Sequence, residues 1–277
     1  MSSADLPRAD DLRQLAGWNQ RPADWQRFLD LSPQGCFVAE VRSAVAGTVT
    51  TISYGRDVAW IGMLLVHPES RGCGIGKALL TRAIEHLRDK RIASIKLDAT
   101  PLGEGLYRKI GFRDEWALTR HKGIISGSGA EPPNEKVRNV TKNDIAQVSA
   151  VDAEAFGLRR PELIESLLSS ARTAIAIEHN LGVDAFGLLR SGAAADYLGP
   201  VVAQTSEAAT GIILELARRS GGRPLYWDIP HPNKAALALA EKLGFVPERQ
   251  LLRMYLGDND HPGDVQKYFA IADPSLG

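Results

Sequence analysis

Val66-His67-Pro68-Glu69-Ser70-Arg71-Gly72-Cys73-Gly74-Ile75-Gly76-Lys77 is the stretch on which the fold turns. Before it stands an apolar run, Trp60-Ile61-Gly62-Met63-Leu64-Leu65-Val66, with the length of a buried strand. After it, Leu80, Ile84 and Leu87 stand at i, i+4 and i+7, which gives a helix a buried stripe. A glycine loop between a strand and a helix N-terminus suits an anion. Glycines let the backbone approach closely and aim consecutive N–H groups at one point. The helix start adds partial positive charge. Arg71 and Lys77 add formal charge.

Two phosphate-binding templates fail on this loop. A P-loop needs Gly where Arg71 stands and Ser or Thr where Ala78 stands. A dinucleotide fingerprint needs Gly at Lys77 or at Leu79, according to its starting glycine. What remains is Arg-x-x-Gly-x-Gly, from Arg71 to Gly76.

Outward from the loop, the first half predicts short helices around 10–16 and over 22–31, the second opened by Pro22 at a first-turn position. Strands follow at 36–41, 48–53 and 58–66, with Ala44-Val45-Ala46-Gly47 as the first hairpin turn. A strand at 92–97 and a short helix at 102–109 come next, and Gly111-Phe112 starts the return to a last strand. The second half predicts the same order. Helices at 144–156 and 162–169 lead into strands at 173–177, 185–189 and 196–203, then a helix at 208–218, a strand at 225–228 and a helix at 233–243. The closing phrases Tyr107-Arg108-Lys109-Ile110-Gly111-Phe112 and Ala240-Glu241-Lys242-Leu243-Gly244-Phe245 are alike, and each follows a strand that ends in Asp (Asp98, Asp228). The chain reads as an internal duplication of an α+β unit.

The glycine loop resembles the pyrophosphate loop of the GNAT superfamily of N-acetyltransferases. The resemblance extends through Trp60–Val66, Leu97-Asp98-Ala99-Thr100-Pro101 and Leu106–Phe112. It implies tandem GNAT-like domains, each a mixed, mostly antiparallel sheet flanked by helices. It also implies acetyl-CoA as acyl donor and a primary amine of a small-molecule acceptor, acetylated by direct transfer. By the same resemblance, backbone groups of Leu64, Leu65 and Val66 face the pantetheine and thioester, while Arg71, Gly72, Cys73, Gly74, Ile75, Gly76 and Lys77 wrap the pyrophosphate. Many members carry Asn after the fifth strand; this chain has Thr100, which can still hydrogen-bond. Tyr107 occupies the position of the general acid, with a phenol that stays protonated at neutral pH. Trp18, Asn19 and Trp25 lie in the early helices that roof the acceptor site, and Trp116 on the last strand is a further candidate. No single base stands out among Glu40, Asp57, His67 and Asp98. A non-catalytic acyl-CoA-binding module, and an acyltransferase of the same fold using a longer acyl-CoA, fit the same residues.

The second half lacks this chemistry. Its loop reads Ala203-Gln204-Thr205-Ser206-Glu207, without a glycine run or a cationic clamp, and Ala240 stands where Tyr107 has its counterpart. Only Asn233 matches the family's Asn. The expected organisation is therefore a catalytic unit over 1–126, a Gly/Ser/Pro linker over 127–135 and a degenerate unit over 136–277 that completes the acceptor pocket, lends rigidity or mediates assembly.

Composition bounds the remaining classes. The 277 residues, 44% apolar, suffice for about two domains. Lys+Arg 33 equals Asp+Glu 33, which argues against a nucleic-acid binder. No run approaches the roughly 18 apolar residues of a membrane span. Cys36 and Cys73 make no disulfide framework or four-ligand zinc site, and the six histidines show no metal-ligand spacing, so no metal is expected and a reducing, cytoplasmic setting is.

Overall fold

A computed structural model describes residues 1–125, 137–179 and 182–277; the expected linker, 127–135, lies outside the described residues. The first half runs α1 (Leu6–Leu15), α2 (Pro22–Leu31), β1 (Cys36–Val41), β2 (Ala44–Tyr54), β3 (Val58–Val66), α3 (Ile75–Asp89), β4 (Ser94–Ala99), α4 (Pro101–Ile110) and β5 (Arg113–Gly123). The second runs β6 (Val137–Asn139), α5 (Ile145–Phe156), α6 (Pro161–Ser170), β7 (Thr173–His179), β8 (Gly182–Arg190), β9 (Asp196–Ala203), α7 (Ser206–Ser220), β10 (Leu225–Pro230), α8 (Lys234–Lys242), β11 (Val246–Gly257) and β12 (Tyr268–Ala270). The architecture is the expected α+β pair of units of mixed, mostly antiparallel strands and flanking helices, but the strands of both join in one sheet.

The repeat extends to individual hydrogen bonds. Gly111 N donates to Arg108 O and Phe112 N to Tyr107 O; Gly244 N donates to Glu241 O and Phe245 N to Ala240 O. Both Gly-Phe phrases thus close a helix in the same way and bury the phenylalanine behind it. The long helices repeat as well. Leu80, Ile84 and Leu87 of α3 are buried on one face of the sheet, as are Ile212, Ile213 and Leu216 of α7.

One local expectation is corrected. Ala44–Gly47 do not form the first hairpin turn: they begin β2, and the chain reverses at Arg42-Ser43, with φ of 52° and 64°. The pairing Val41↔Ala44 leaves only two loop residues, and a two-residue hairpin demands left-handed backbone at both. Gly47 answers to packing instead. A Cβ there would lie 2.8 Å from Leu65 O and 2.9 Å from a Leu79 methyl.

The strands form one continuous sheet in the order β1-β2-β3-β4-β11-β5-β10-β9-β8-β7-β6, with β12 on β9. The halves exchange their last long strands. β11, from the second half, lies between β4 and β5, and β5 passes on to pair with β10. Each half therefore completes the other. Arg253 on β11 shows the result. Its guanidinium makes a bidentate pair with Asp98 on β4 (2.8 and 2.9 Å) and stacks between the rings of Trp60 and Trp116, 4.5 and 4.0 Å from their centroids. Among the described residues no helix is long and apolar enough to cross a membrane.

Candidate active site

Only two neighbouring long strands of each half run parallel, and both pairs come apart. β3 and β4 pair at Val58↔Ser94, Ala59↔Ile95 and Trp60↔Lys96, and then diverge. A bulge in β3 sharpens the split. Thr48 and Thr50 on β2 face Leu65 and Gly62, so Met63 and Leu64 are accommodated as one extra position. Met63 takes a φ of 49°, unusual for a long side chain, and is held there by burial and by Thr48, whose hydroxyl donates to Met63 O at 2.8 Å. Past the split, the facing backbone of 61–66 has no strand partner on β4, which leaves amides and carbonyls for a bound molecule.

The glycine loop crowns this opening. Gly72 and Gly74 have φ of 78° and 82°, and Gly74 is the N-cap residue of α3, so no side chain occupies the helix start. A Cβ on either glycine would meet nothing within 4 Å, and Arg71, Cys73 and Lys77 are exposed around the same turn. The N–H groups of the first turn of α3 have no intrahelical acceptor. This is an open cradle for an anion: free amides, the positive end of a 15-residue helix, and two exposed cations.

Below the loop, the divergent strands wall a cleft with about 520 Å³ of open space, solvent at its mouth included. Met63 and Leu64 form one wall, Leu97, Asp98 and Thr100 the other, and Tyr107 of α4 projects between them. The Tyr107 ring packs edge-on against Phe112 at 5.8 Å, and Gly103 leaves it room, since a Cβ there would come within 2.7 Å of the ring. Its hydroxyl makes no hydrogen bond among the described residues, and Tyr107 lines the cleft. Burial raises the phenol well above its ordinary value of about 10. Tyr107 is thus a proton donor that does not ionise at neutral pH.

The remaining candidates separate. Leu64, Thr100, Tyr107 and Trp18 line the cleft, and Leu65, Val66 and the loop residues continue from it. Asn19 and Trp25 do not line it. Trp25 is fully buried against Ala9, Phe28 and Leu29, as the apolar stripe of α2 requires. Asn19 clamps the second half: its amide donates to Ala195 O at 3.0 Å, and its Oδ1 accepts from Ala194 N and Ala195 N. Trp116 stacks on Arg253. Of the four possible bases only Asp98 lines the cleft, with both oxygens engaged by Arg253. Glu40 and Asp57 are exposed elsewhere, and His67 accepts from Glu69 N beyond the strand end. The second half contributes what sequence reasoning missed. Arg249 and Leu251 of β11 and Pro274-Ser275 of the C-terminal tail close one side of the cleft, and Gln20 closes another. The tail passes so near β3 that a Cβ on Gly62 would lie 2.6 Å from Ser275 O.

The comparisons agree with this geometry. A family described as "Acetyltransferase (GNAT) family" matches residues 7–112, and one described as "Acetyltransferase (GNAT) domain" matches 148–270. The fold and cleft define an acyltransferase. The chain belongs to the GNAT superfamily and carries two GNAT units in tandem. It is 28% identical over 262 residues to a holothin acyltransferase of Pseudoalteromonas sp. (strain SANK 73390), which covers 94% of this chain and 87% of that protein. The crystal structure of an acetyltransferase candidate from Pyrococcus horikoshii superposes with a TM-score of 0.82 at 26% identity, over 100% of this chain and 94% of the other. A tandem GNAT protein from the clavulanic acid biosynthesis pathway shares the fold, with a TM-score of 0.64 at 18% identity over 94% of this chain and 98% of the other.

Proposed function

We propose that the cleft between β3 and β4 transfers an acetyl group from acetyl-CoA to a primary amine of a small molecule, directly and without an acyl-enzyme. Residues 1–126 supply the donor site and Tyr107, and residues 136–277 complete the acceptor end of the cleft. One observation carries this reading: strand pairing ends after Trp60↔Lys96, ahead of a helix start that no side chain caps, and Tyr107 lines the cleft that opens there.

The residues fit the donor. Gly72 and Gly74 keep the loop clear of Cβ atoms, so the amides of 72–77 can meet pyrophosphate oxygens, with Arg71 and Lys77 pairing the charge. Along Leu64, Leu65 and Val66, the edge of β3 that faces away from β2 has no partner on β4 and would offer ladder hydrogen bonds to an extended pantetheine amide. A bound thioester supplies an activated acyl carbon at the level of the bulge. A backbone N–H near Leu65, on the strand edge that faces away from β2, would steady the carbonyl oxygen as charge builds there.

Transfer forms a C–N bond and breaks a C–S bond; one proton leaves nitrogen and one reaches sulfur. Tyr107 gives the second proton, because burial keeps its hydroxyl protonated and no protein group competes for it. Asp98 is held by Arg253, so the proton from nitrogen leaves through solvent in the cleft mouth.

The test mixes the purified chain with acetyl-CoA and a panel of amines and follows free thiol. Turnover that falls at least a hundredfold in Tyr107→Phe, with coenzyme A affinity retained, supports the reading. Coenzyme A uptake without turnover on any amine, and with no effect of Tyr107→Phe, replaces it with a binding module. Turnover with long-chain donors only changes the donor class.

A further inference from the structure

Two polar side chains in the wall of the cleft have capacity to spare. Gln20 is 7% exposed, and its amide N–H groups donate to both Asp273 oxygens at 3.0 and 3.2 Å. Those bonds fix the amide orientation, since only the NH2 end can donate to a carboxylate. The opposite end, Oε1, is buried without a partner. A buried acceptor left unmatched costs about 1–3 kcal/mol, and a ligand N–H in the cleft would satisfy it.

Arg249 is the second. Its Nε is buried with no partner, and among the described residues its guanidinium forms no ion pair. The acids around it are committed. Asp228 takes a bidentate bond from Arg120 at 2.9 and 2.6 Å and the hydroxyl of Tyr197 at 2.9 Å. Asp98 is bound by Arg253. Asp273 accepts from Gln20 and from Ser275 N and Oγ, and its charge also faces the fully buried Arg190, whose own hydrogen bonds go to the carbonyls of Gly199 and Ala272. Arg249 therefore stands in a half-enclosed site with a fork of donors and no direct ion pair among the described residues; Asp228, Asp273 and Glu248, the last accepting from the Tyr226 hydroxyl at 3.1 Å, act on its charge only from a distance. Burial and the neighbouring Arg120 oppose its charge, so an anion arriving beside it would relieve both.

We propose that the acyl acceptor carries a carboxylate as well as an amine: Arg249 binds the carboxylate and Gln20 Oε1 takes an N–H of the same molecule. A single guanidinium without a partner matches one negative charge, and its planar fork matches the two oxygens of a carboxylate. The two residues line the same cleft as Tyr107, which puts the proposed carboxylate site and the acyl-transfer site in one cavity. The inference deepens the acyl-transfer reading and rests on it. It names amino-acid-type acceptors as the class and assigns Arg249 and Gln20 as residues that set specificity.

The experiment is calorimetry on the full chain, with and without coenzyme A, titrated with N-acetylamino acids of graded side-chain size and with their neutral primary amides. The carboxylates are expected to bind about 10- to 100-fold more tightly than the amides, the range of a hydrogen bond to a charged group. Arg249→Gln should abolish that difference, and Arg249→Lys should keep part of it. Unchanged coenzyme A affinity and melting temperature in both variants show that the fold is intact. Equal binding of acids and amides, binding of neither, or a preference that survives Arg249→Gln overturns the proposal. Failure of the parent reading looks different: thiol release is then absent with every amine. If neutral amines are acetylated at rates that Arg249→Gln does not change, the transferase stands and the carboxylate site falls.

Discussion

The same sheet holds two splayed strand pairs, and only one of them is open. In the second half β9 and β10 pair at Asp196↔Leu225 and Tyr197↔Tyr226 and then diverge, as β3 and β4 do. Gly199-Pro200 sits in a bulge opposite Gly187 and Leu189, matching Met63-Leu64 opposite Thr48 and Thr50. The second gap, however, is filled by the chain itself. β12 pairs with β9 on one side, while Ile271 N donates to Asp228 O and the Trp227 indole donates to Phe269 O on the other. Asn233, the counterpart of Thr100, caps α8 through Ala236 N and donates to Gln266 O and Tyr268 O, so it secures the plug. The start of α7 is closed too: Thr205 caps it by accepting from Ala208 N, and Glu207 adds negative charge where α3 has a bare glycine. A gap between parallel strands leaves backbone groups that need partners. The first half leaves that need to a ligand, and the second meets it with residues 268–271. The two units thus carry one open strand gap and one filled by the chain itself.

The largest contrast is at the tyrosine position. Tyr107→Phe removes the proton donor and is expected to lower kcat by about 100- to 10,000-fold with little change in melting temperature, read by thiol release and calorimetry. Ala240→Tyr, in the matching place, meets a fully buried site and should lower stability by about 1–3 kcal/mol without adding activity. A gain of activity from Ala240→Tyr would break the comparison. At the loops, Arg71→Glu should weaken coenzyme A binding about a hundredfold, whereas Gln204→Lys should leave it unchanged. Equal losses from both would show that the two helix starts are equivalent after all.

A smaller effect sharpens the account of the plug. Asn233→Ala removes a cap and the bonds to the tail, and should cost about 2–3 kcal/mol while raising amide exchange across 268–272. Thr100→Ala should change stability by less than about 1 kcal/mol, because its hydroxyl caps nothing. The smallest expected effect is a null one in pH. Burial raises the Tyr107 phenol, so it stays protonated throughout the range below its ordinary value of about 10. Between pH 7 and pH 9 the rate should show no fall that Tyr107→Phe abolishes; such a fall would mean that Tyr107 titrates low.

Much of this was legible because the signals are local. The loop from Arg71 to Lys77, the stripe on α3, the tyrosine before Gly111-Phe112 and the twin phrase before Gly244-Phe245 each span a turn or two of chain, where spacing fixes geometry. Trp25, expected at the acceptor site, is instead buried on the face of α2 that it shares with Phe28 and Leu29, where the i, i+3, i+4 spacing favours the core. The strand exchange was not legible. β5 and β11 have similar patterns, and nothing local tells which neighbour each will choose. The cleft wall inherits that difficulty. Arg253 reaches Asp98 across 155 residues and Gln20 reaches Asp273 across 253, so the acceptor end of the site exists only after both halves have folded together. The plug was hidden for the same reason, since residues 268–271 act through the strands they join.

Coenzyme A stoichiometry tests the central claim most directly. Calorimetry on the full chain should find one site per molecule, which Arg71→Glu removes and substitutions at Gln204 leave in place. Two sites, or one that persists in Arg71→Glu, would contradict the assignment of an open cleft to the first half and a closed one to the second.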